Sequence, residues 1–254
     1  MAQVPGLEAV DWSRPWLAPW RAIGEPLATC ADRHGLVDAL NAAAPAGAPR
    51  FVHQHHLPAG EPYEAFIART GSVPTRANVH DFFNGLAWLR HPALKRRLNE
   101  LQAAQIAAAP RGASRGAVRD ALTLFDENAA LLQGPAPLVD ALRRRDWHAL
   151  FVTQRAAWTD VRLELFGHAL LEKLVRPRAA ITAHAWVVPQ GVEAPGAWSA
   201  ASLTPAGLAA KPFLPLPVLG VPGWWGPNEA LDFYGDATVF RVAQKQTAAR
   251  GPLF

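Results

Sequence analysis

The sequence predicts a mainly α protein with a few short β-strands, folded as a single compact domain with an extended Pro/Gly/Trp-rich C-terminal arm packed on it. Apolar residues recur at helical spacing through much of the middle of the chain. Half of the 254 residues are hydrophobic, which suffices for a sizeable core. Prolines and glycines dominate from Pro189 onward, and over residues 214–241 proline recurs too often for regular helix or central strand, while Trp224, Trp225, Phe233, Tyr234 and Phe240 still require cover. No internal repeat or composition shift marks a second domain. Residues 1–50 therefore read as a Trp/Pro-rich clasp, 51–188 as a helical body and 189–254 as the arm.

Trp12, Trp16 and Trp20 stand four apart, as on one helix face or a clasp laid over the body, and an alanine-rich stretch from Leu36 ends at Pro45-Ala46-Gly47. Phe51 to Leu57 reads as a short extended segment. Glu61 to Thr70 reads as a helix with Pro62 in its first turn and Gly71 closing it. Asn78 is placed to cap the next helix, whose stripe of Phe82, Phe83, Leu86, Ala87 and Leu89 runs to Pro92. Pro92 suits the first turn of a further helix through Leu94, Leu98, Leu101 and Ile106, ending near Ala109. Residues 111–116 form a basic loop. The apolar runs Ala121–Phe125 and Ala129–Leu132, on either side of Asp126-Glu127-Asn128, fit a small hairpin as well as a helix, with the hairpin the favoured reading. Two helices follow, Pro137 to Ala149 and a long amphipathic one from Ala149 to Val175, stopped by Pro177. Ala180 to Val188 has the β-branched and aromatic content of a strand.

Several chemistries are excluded at once. A single cysteine, Cys30, rules out an intrachain disulfide and a four-cysteine zinc site. There is no phosphate-cradling glycine loop, G-x-S-x-G, H-E-x-x-H or G-x-G-x-x-G. No stretch approaches the roughly 20 apolar residues of a membrane span, and the N-terminus carries acids where a signal peptide carries bases, so the cytoplasm is the expected compartment. The net charge of +4 and the basic run Arg90, Lys95, Arg96, Arg97, Arg111, Arg115 and Arg119, followed by Arg143 to Arg145, leave a nucleic acid or other polyanion open as partner. Solvated helix faces account for such a run equally well.

The chemistry sits in polar blocks within the apolar sequence, where unsatisfied groups are costly to bury. His80, Asp81 and Asn84 share a helical face by spacing, and Asp81 also suits the positive end of the helix dipole. Glu164, His168 and Glu172 are spaced by four and share a face if that segment is helical. Asp126, Glu127 and Asn128 fit a turn, but a turn does not require Glu127. His80, Asp81, Glu127, His168 and Glu172 are thus candidate catalytic groups. Arg76, Asn84, Arg119, Asn128 and Lys173 are candidate substrate-binding groups, with Arg119 and Asp120 also readable as an ion pair. His80, Asp81, His168 and His184 are candidate ligands of a divalent metal ion, since imidazole and carboxylate suit zinc, manganese or iron. The histidines of FVHQHHL lack nearby carboxylates and give a weaker metal signal.

The stretches YEAFIARTGSVPTRANVHDFFNGLAWLRHP, RDALTLFDENAALL, LFGHALLEKLVRPRAAITAH, LPVLGVPGWW and FYGDATVFR, spread from about Phe51 to Arg241, resemble a proteobacterial family known as domain of unknown function 3025. The resemblance implies a bacterial, intracellular protein and brings no activity, cofactor or catalytic residue with it. Two expectations of function stand. One is a hydrolase-like enzyme with a His/carboxylate site, metal-bound or acting as general acid and base, on a small anionic ligand. The other is a polyanion-binding regulatory module, with a non-catalytic partner-binding protein as a third possibility.

Overall fold

The computed structural model describes residues 4–109 and 116–241. At the N-terminus, two 3₁₀ turns, Leu7–Ala9 and Pro15–Leu17, lead into α1 (Ala18–His34) and α2 (Leu36–Ala43). Trp16 and Trp20 are buried, and the Trp20 indole N–H donates to the Leu165 carbonyl at 3.0 Å, tying the clasp to the centre of the chain. A buried indole needs such a partner, and the bond contributes about 1 kcal/mol.

Strands β1 (Arg50–His53) and β2 (Ser72–Thr75) pair in parallel across α3 (Tyr63–Thr70). Gly71, at φ 66°, occupies the left-handed position that closes α3. Helix α4 (Val79–Arg90) is the axis of the molecule, buried continuously from Asp81 to Leu89. As the sequence predicts, Asn78 caps it: its Oδ1 accepts from the Asp81 backbone N–H at 2.7 Å. Pro92 opens α5 (Pro92–Ala108), where its missing N–H costs nothing.

Helix α6 (Ala117–Asn128) runs directly into β3 (Ala129–Gln133), which corrects the predicted hairpin. Asp126, Glu127 and Asn128 form the last turn of a helix, and the apolar run after them is a central strand. Helix α7 (Ala136–Arg144) follows, ended by Arg145 at φ 52°. The predicted long helix from Ala149 to Val175 is instead four pieces: a π-helical turn (Ala149–Thr153), a 3₁₀ stretch (Arg155–Asp160), strand β4 (Arg162–Leu165) and the short helix α8 (His168–Lys173). Its apolar spacing fits a helix, but pairing with β3 and burial of Leu165 decide the outcome. After β5 (Thr182–Val187) come α9 (Pro195–Ser202), α10 (Pro205–Ala209) and β6 (Leu214–Pro217).

The larger sheet has the order β4-β3-β5-β6, with β3 and β5 parallel and both outer strands antiparallel to their neighbours. Ala130 and Leu132 of β3 face one core and Ala129 and Leu131 a second, so the strand is apolar on both sides. Pro215 and Pro217 sit in β6 at the sheet edge, where a missing donor is tolerated. The arm beyond β6 packs back through aromatic contacts: Phe151 stacks on Tyr234 at 5.4 Å and meets Phe240 at 5.9 Å. Asn228 fixes the chain reversal by donating to the Leu219 and Val221 carbonyls at 2.8 and 2.7 Å. No helix among the described residues is long and apolar enough to cross a membrane.

Candidate functional site

Five helices bring polar groups to one cavity of about 310 Å³. Helix α4 contributes His80, Asn84 and Trp88 at successive i+4 positions, and α5 contributes Lys95, Asn99 and Gln102. The C-terminal half of α6 brings Thr123, Asp126 and Glu127, while α8 presents His168 at its first residue. Tyr63 and Glu64 of α3, Gln54, Arg76 before α4, and Asp81 of α4 complete the polar lining.

At one end of this cavity His80, Glu127 and His168 come together, with one ligating atom from each lying within 4.8 Å of the others. The Nε2 atoms of His80 and His168 are 3.1 Å apart, and His168 Nε2 is 3.5 Å from Glu127 Oε1. His80 Nδ1 donates to Glu172 Oε2 at 2.8 Å. A carboxylate only accepts, so this contact places the proton of a neutral His80 on Nδ1 and leaves Nε2 as a bare lone pair. His168 is 4% exposed, and among the described residues its Nδ1 has no hydrogen-bond partner of good geometry. Burial drives its pKa down to about 3, outweighing the opposing influence of Asp126, with Lys95 and His80 adding to the depression. Burial and the neighbouring Asp126 carboxylate push Glu127 upward, partly offset by His80, Lys95 and Lys173.

Gly167 makes this convergence possible. Its φ of −61° is open to any residue, so conformational freedom is not its role. A Cβ there would lie 2.5 Å from the Glu127 carbonyl carbon and oxygen and from the Asn128 nitrogen. The start of α8 therefore rests directly on the backbone at the end of α6, which places His168 beside Glu127.

The charged groups around the cluster are paired. Lys95, 3% exposed, donates to Asp126 Oδ1 at 2.5 Å and lies 5.6 Å from the Trp88 ring centroid. Burial alone would raise the Asp126 pKa, but Lys95 and the two imidazoles hold it below the usual carboxylate range. Asp81 accepts from the Arg76 backbone N–H at 2.6 Å, from Nε at 3.1 Å and from Nη2 at 2.9 Å. Asn84 Nδ2 donates to the Tyr63 hydroxyl at 3.0 Å. Burial and the nearby Asp81 carboxylate raise the Tyr63 pKa, keeping the phenol neutral.

Of the residues singled out in the sequence, His80, Asp81, Asn84, Glu127, His168 and Arg76 line this one cavity. Glu172 reaches it through His80. Asp81 is turned toward Arg76 and stands outside the three-ligand cluster. His184, on β5, belongs to neither the cluster nor the cavity lining; burial and Lys173 lower its pKa. Lys173 Nζ donates to Asn128 Oδ1 at 2.8 Å, which makes the two partners of each other. Arg119 does not line the cavity, and no Arg119–Asp120 ion pair forms among the described residues.

Glu164 stands apart from His168 and Glu172 because it lies on β4 rather than on their helix. It is closed off by Arg90 Nε at 2.6 Å and His91 Nε2 at 2.7 Å, and despite burial these partners bring its pKa to about 2. Of the basic run, Arg90 and Lys95 are consumed by carboxylates, Arg97 reaches Glu100 at 3.6 Å, and residues 111 and 115 lie outside the described residues. Sequence reasoning missed Lys95 and Tyr63. The lysine stands on the apolar side of α5, one residue from Leu94 and three from Leu98, which was the available signal.

Fold and site together define a mainly α protein with two small β-sheets and a histidine–carboxylate pocket lined largely by its helices. The family described as protein of unknown function, DUF3025, matches residues 49–244, and the chain belongs to it. Every residue of the cluster falls within the matched segment. No curated protein matches the chain, and no solved structure does.

Proposed function

We propose that this protein is a hydrolase-like enzyme whose cofactor is a divalent metal ion held by His80 Nε2, His168 Nε2 and the Glu127 carboxylate. The observation that carries this reading is the pair of Nε2 atoms 3.1 Å apart beside a carboxylate, with the far side of His80 held by Glu172. A histidine oriented by a carboxylate on its other nitrogen is a common arrangement around metal ions, where the outer partner fixes the tautomer and strengthens the ligand. Burial keeps His168 neutral at ordinary pH, the protonation state a metal ligand needs. A cation would also offset the crowding of Glu127 against Asp126.

Two histidines and one carboxylate suit zinc or iron and leave coordination positions open on the cavity side. A divalent ion bound there supplies a Lewis acid and lowers the pKa of a coordinated water toward neutrality. The chain's own groups supply the rest. Glu172 orients the His80 ring, and Gly167 sets the spacing of His168 from Glu127.

Equilibrium dialysis of untagged protein against zinc, manganese and iron(II) tests the reading. One ion per chain is expected, with binding lost in His80→Ala and in Glu127→Ala. Failure of all three metals to bind, with the fold intact, removes the metal and leaves the Glu172–His80–His168–Glu127 chain as a proton relay.

A further inference from the structure

The substrate class follows from which groups on the cavity wall are already satisfied. Arg76 is bound to Asp81 and Lys95 to Asp126, so each of these two cations is already paired with a carboxylate. Glu64 also lines the cavity, and among the described residues it has no cationic partner within 4.0 Å. Without a metal ion, an anionic ligand would therefore meet a wall whose cations are already neutralised.

The unsatisfied groups are uncharged. Asn84 is 7% exposed and its Oδ1, a strong acceptor, has no partner among the described residues. Its Nδ2 is engaged by the Tyr63 hydroxyl oxygen, which leaves the phenol proton available as a donor next to that acceptor. Asn99 and Gln102, both largely buried, extend the same wall with further amide groups. A buried acceptor without a partner is unfavourable, a cost a ligand donor would remove. Adjacent acceptor and donor sites on two side chains match a group that presents N–H and C=O on neighbouring atoms.

We infer that the cavity binds an uncharged small molecule through a carboxamide group, held by Asn84 Oδ1 and the Tyr63 hydroxyl. That the amide is also the group acted upon rests on the metal-enzyme reading above; its binding does not. If both hold, water adds to the amide carbonyl carbon, the C–N bond breaks, and the nitrogen leaves as the amine after taking up a proton, giving a carboxylic acid.

Butyramide and butyrate are near-isosteric and differ in charge, so they separate the possibilities. Binding of each is measured by ligand-observed NMR, once with chelator-treated protein and once with zinc-loaded protein. The chelator-treated arm excludes direct capture of the carboxylate by metal. Butyramide is expected to bind at least tenfold more tightly than butyrate there, and Asn84→Leu is expected to abolish the preference. Tyr63→Phe, which keeps the ring, should reduce the preference severalfold and serves if Asn84→Leu does not fold. Equal binding, preference for butyrate, or binding of neither molecule overturns the inference. Amide preference without zinc binding would instead sink only the metal reading, so the two failures remain distinct.

Discussion

Replacing Gly167 by alanine perturbs the site through a single added methyl group. The backbone atoms of Glu127 and Asn128 lie 2.5 Å from where that carbon would stand, so α6 and α8 must separate by roughly 1 Å to restore ordinary contact. Three of the near contacts are backbone atoms, which cannot swing aside as a side chain can. Overpacking of this kind costs about 1–3 kcal/mol. A functional constellation tolerates displacements of only about 0.5 Å, so a shift of this size should lower zinc affinity by ~10-fold or more. Urea unfolding measures the first effect, and competition with a chromophoric chelator measures the second. Gly235→Ala is the control, because Gly235 is exposed, nothing lies within 4 Å of its would-be Cβ and its φ is outside the left-handed region; its stability should change by less than about 0.5 kcal/mol. If Gly167→Ala retains wild-type stability and zinc affinity, the close backbone approach does not set the spacing of His168 and Glu127.

Three further outcomes are expected. Glu172→Gln keeps the shape of the side chain but weakens the acceptor on His80 Nδ1, and zinc affinity should fall about 10- to 100-fold; unchanged affinity would show that the His80 ring needs no such partner. Lys95→Met strands the Asp126 carboxylate in a buried site and should destabilise the fold by about 3–5 kcal/mol in denaturant titration, with Asp126→Asn added to it recovering much of the loss. Stability should also fall with acid. His168 in the unfolded chain takes up a proton near 6.5 but in the folded chain only near 3, so the unfolded state holds more protons between these values. Stability supplied by the neutral imidazole is present above about pH 6.5 and declines as pH drops toward 3, by up to about 1.4 kcal/mol per pH unit. Glu164, at about 2 against 4.5, adds a loss of the same sign at lower pH. Chemical denaturation from pH 7 to 5 should show a shallower slope for His168→Gln than for the wild type; identical slopes would contradict the buried neutral imidazole.

Elements bounded by local chemistry were legible in the sequence. Asn78, Pro92 and Gly71 delimit α4, α5 and α3 because capping, a missing N–H and a left-handed backbone act within one turn of the chain. The hairpin expected at Asp126-Glu127-Asn128 failed for a reason tied to the site. Acidic residues are unfavourable in the last turn of a helix, and here Lys95, from another helix, offsets that cost for Asp126. The long helix expected over Ala149–Val175 failed because Leu165 fits a helical stripe with Val161 and a strand face with Leu163 alike, and only pairing with β3 distinguishes them. That misreading grouped Glu164 with His168, whereas Arg90 and His91 claim it. His80 and His168 stood out as costly residues within apolar runs. Their 3.1 Å approach was not legible, because it depends on contact between α4 and α8, 88 residues apart, and on Gly167 meeting the end of α6.

X-ray absorption at the zinc edge, on protein loaded with one equivalent of zinc, addresses the His80–Glu127–His168 centre itself. Two imidazole nitrogens at about 2.0–2.1 Å with oxygen donors completing the shell are expected, and one imidazole should disappear from the His168→Ala spectrum. A shell without imidazole, or an identical spectrum after His168→Ala, would show that the three side chains converge for some purpose other than holding a metal.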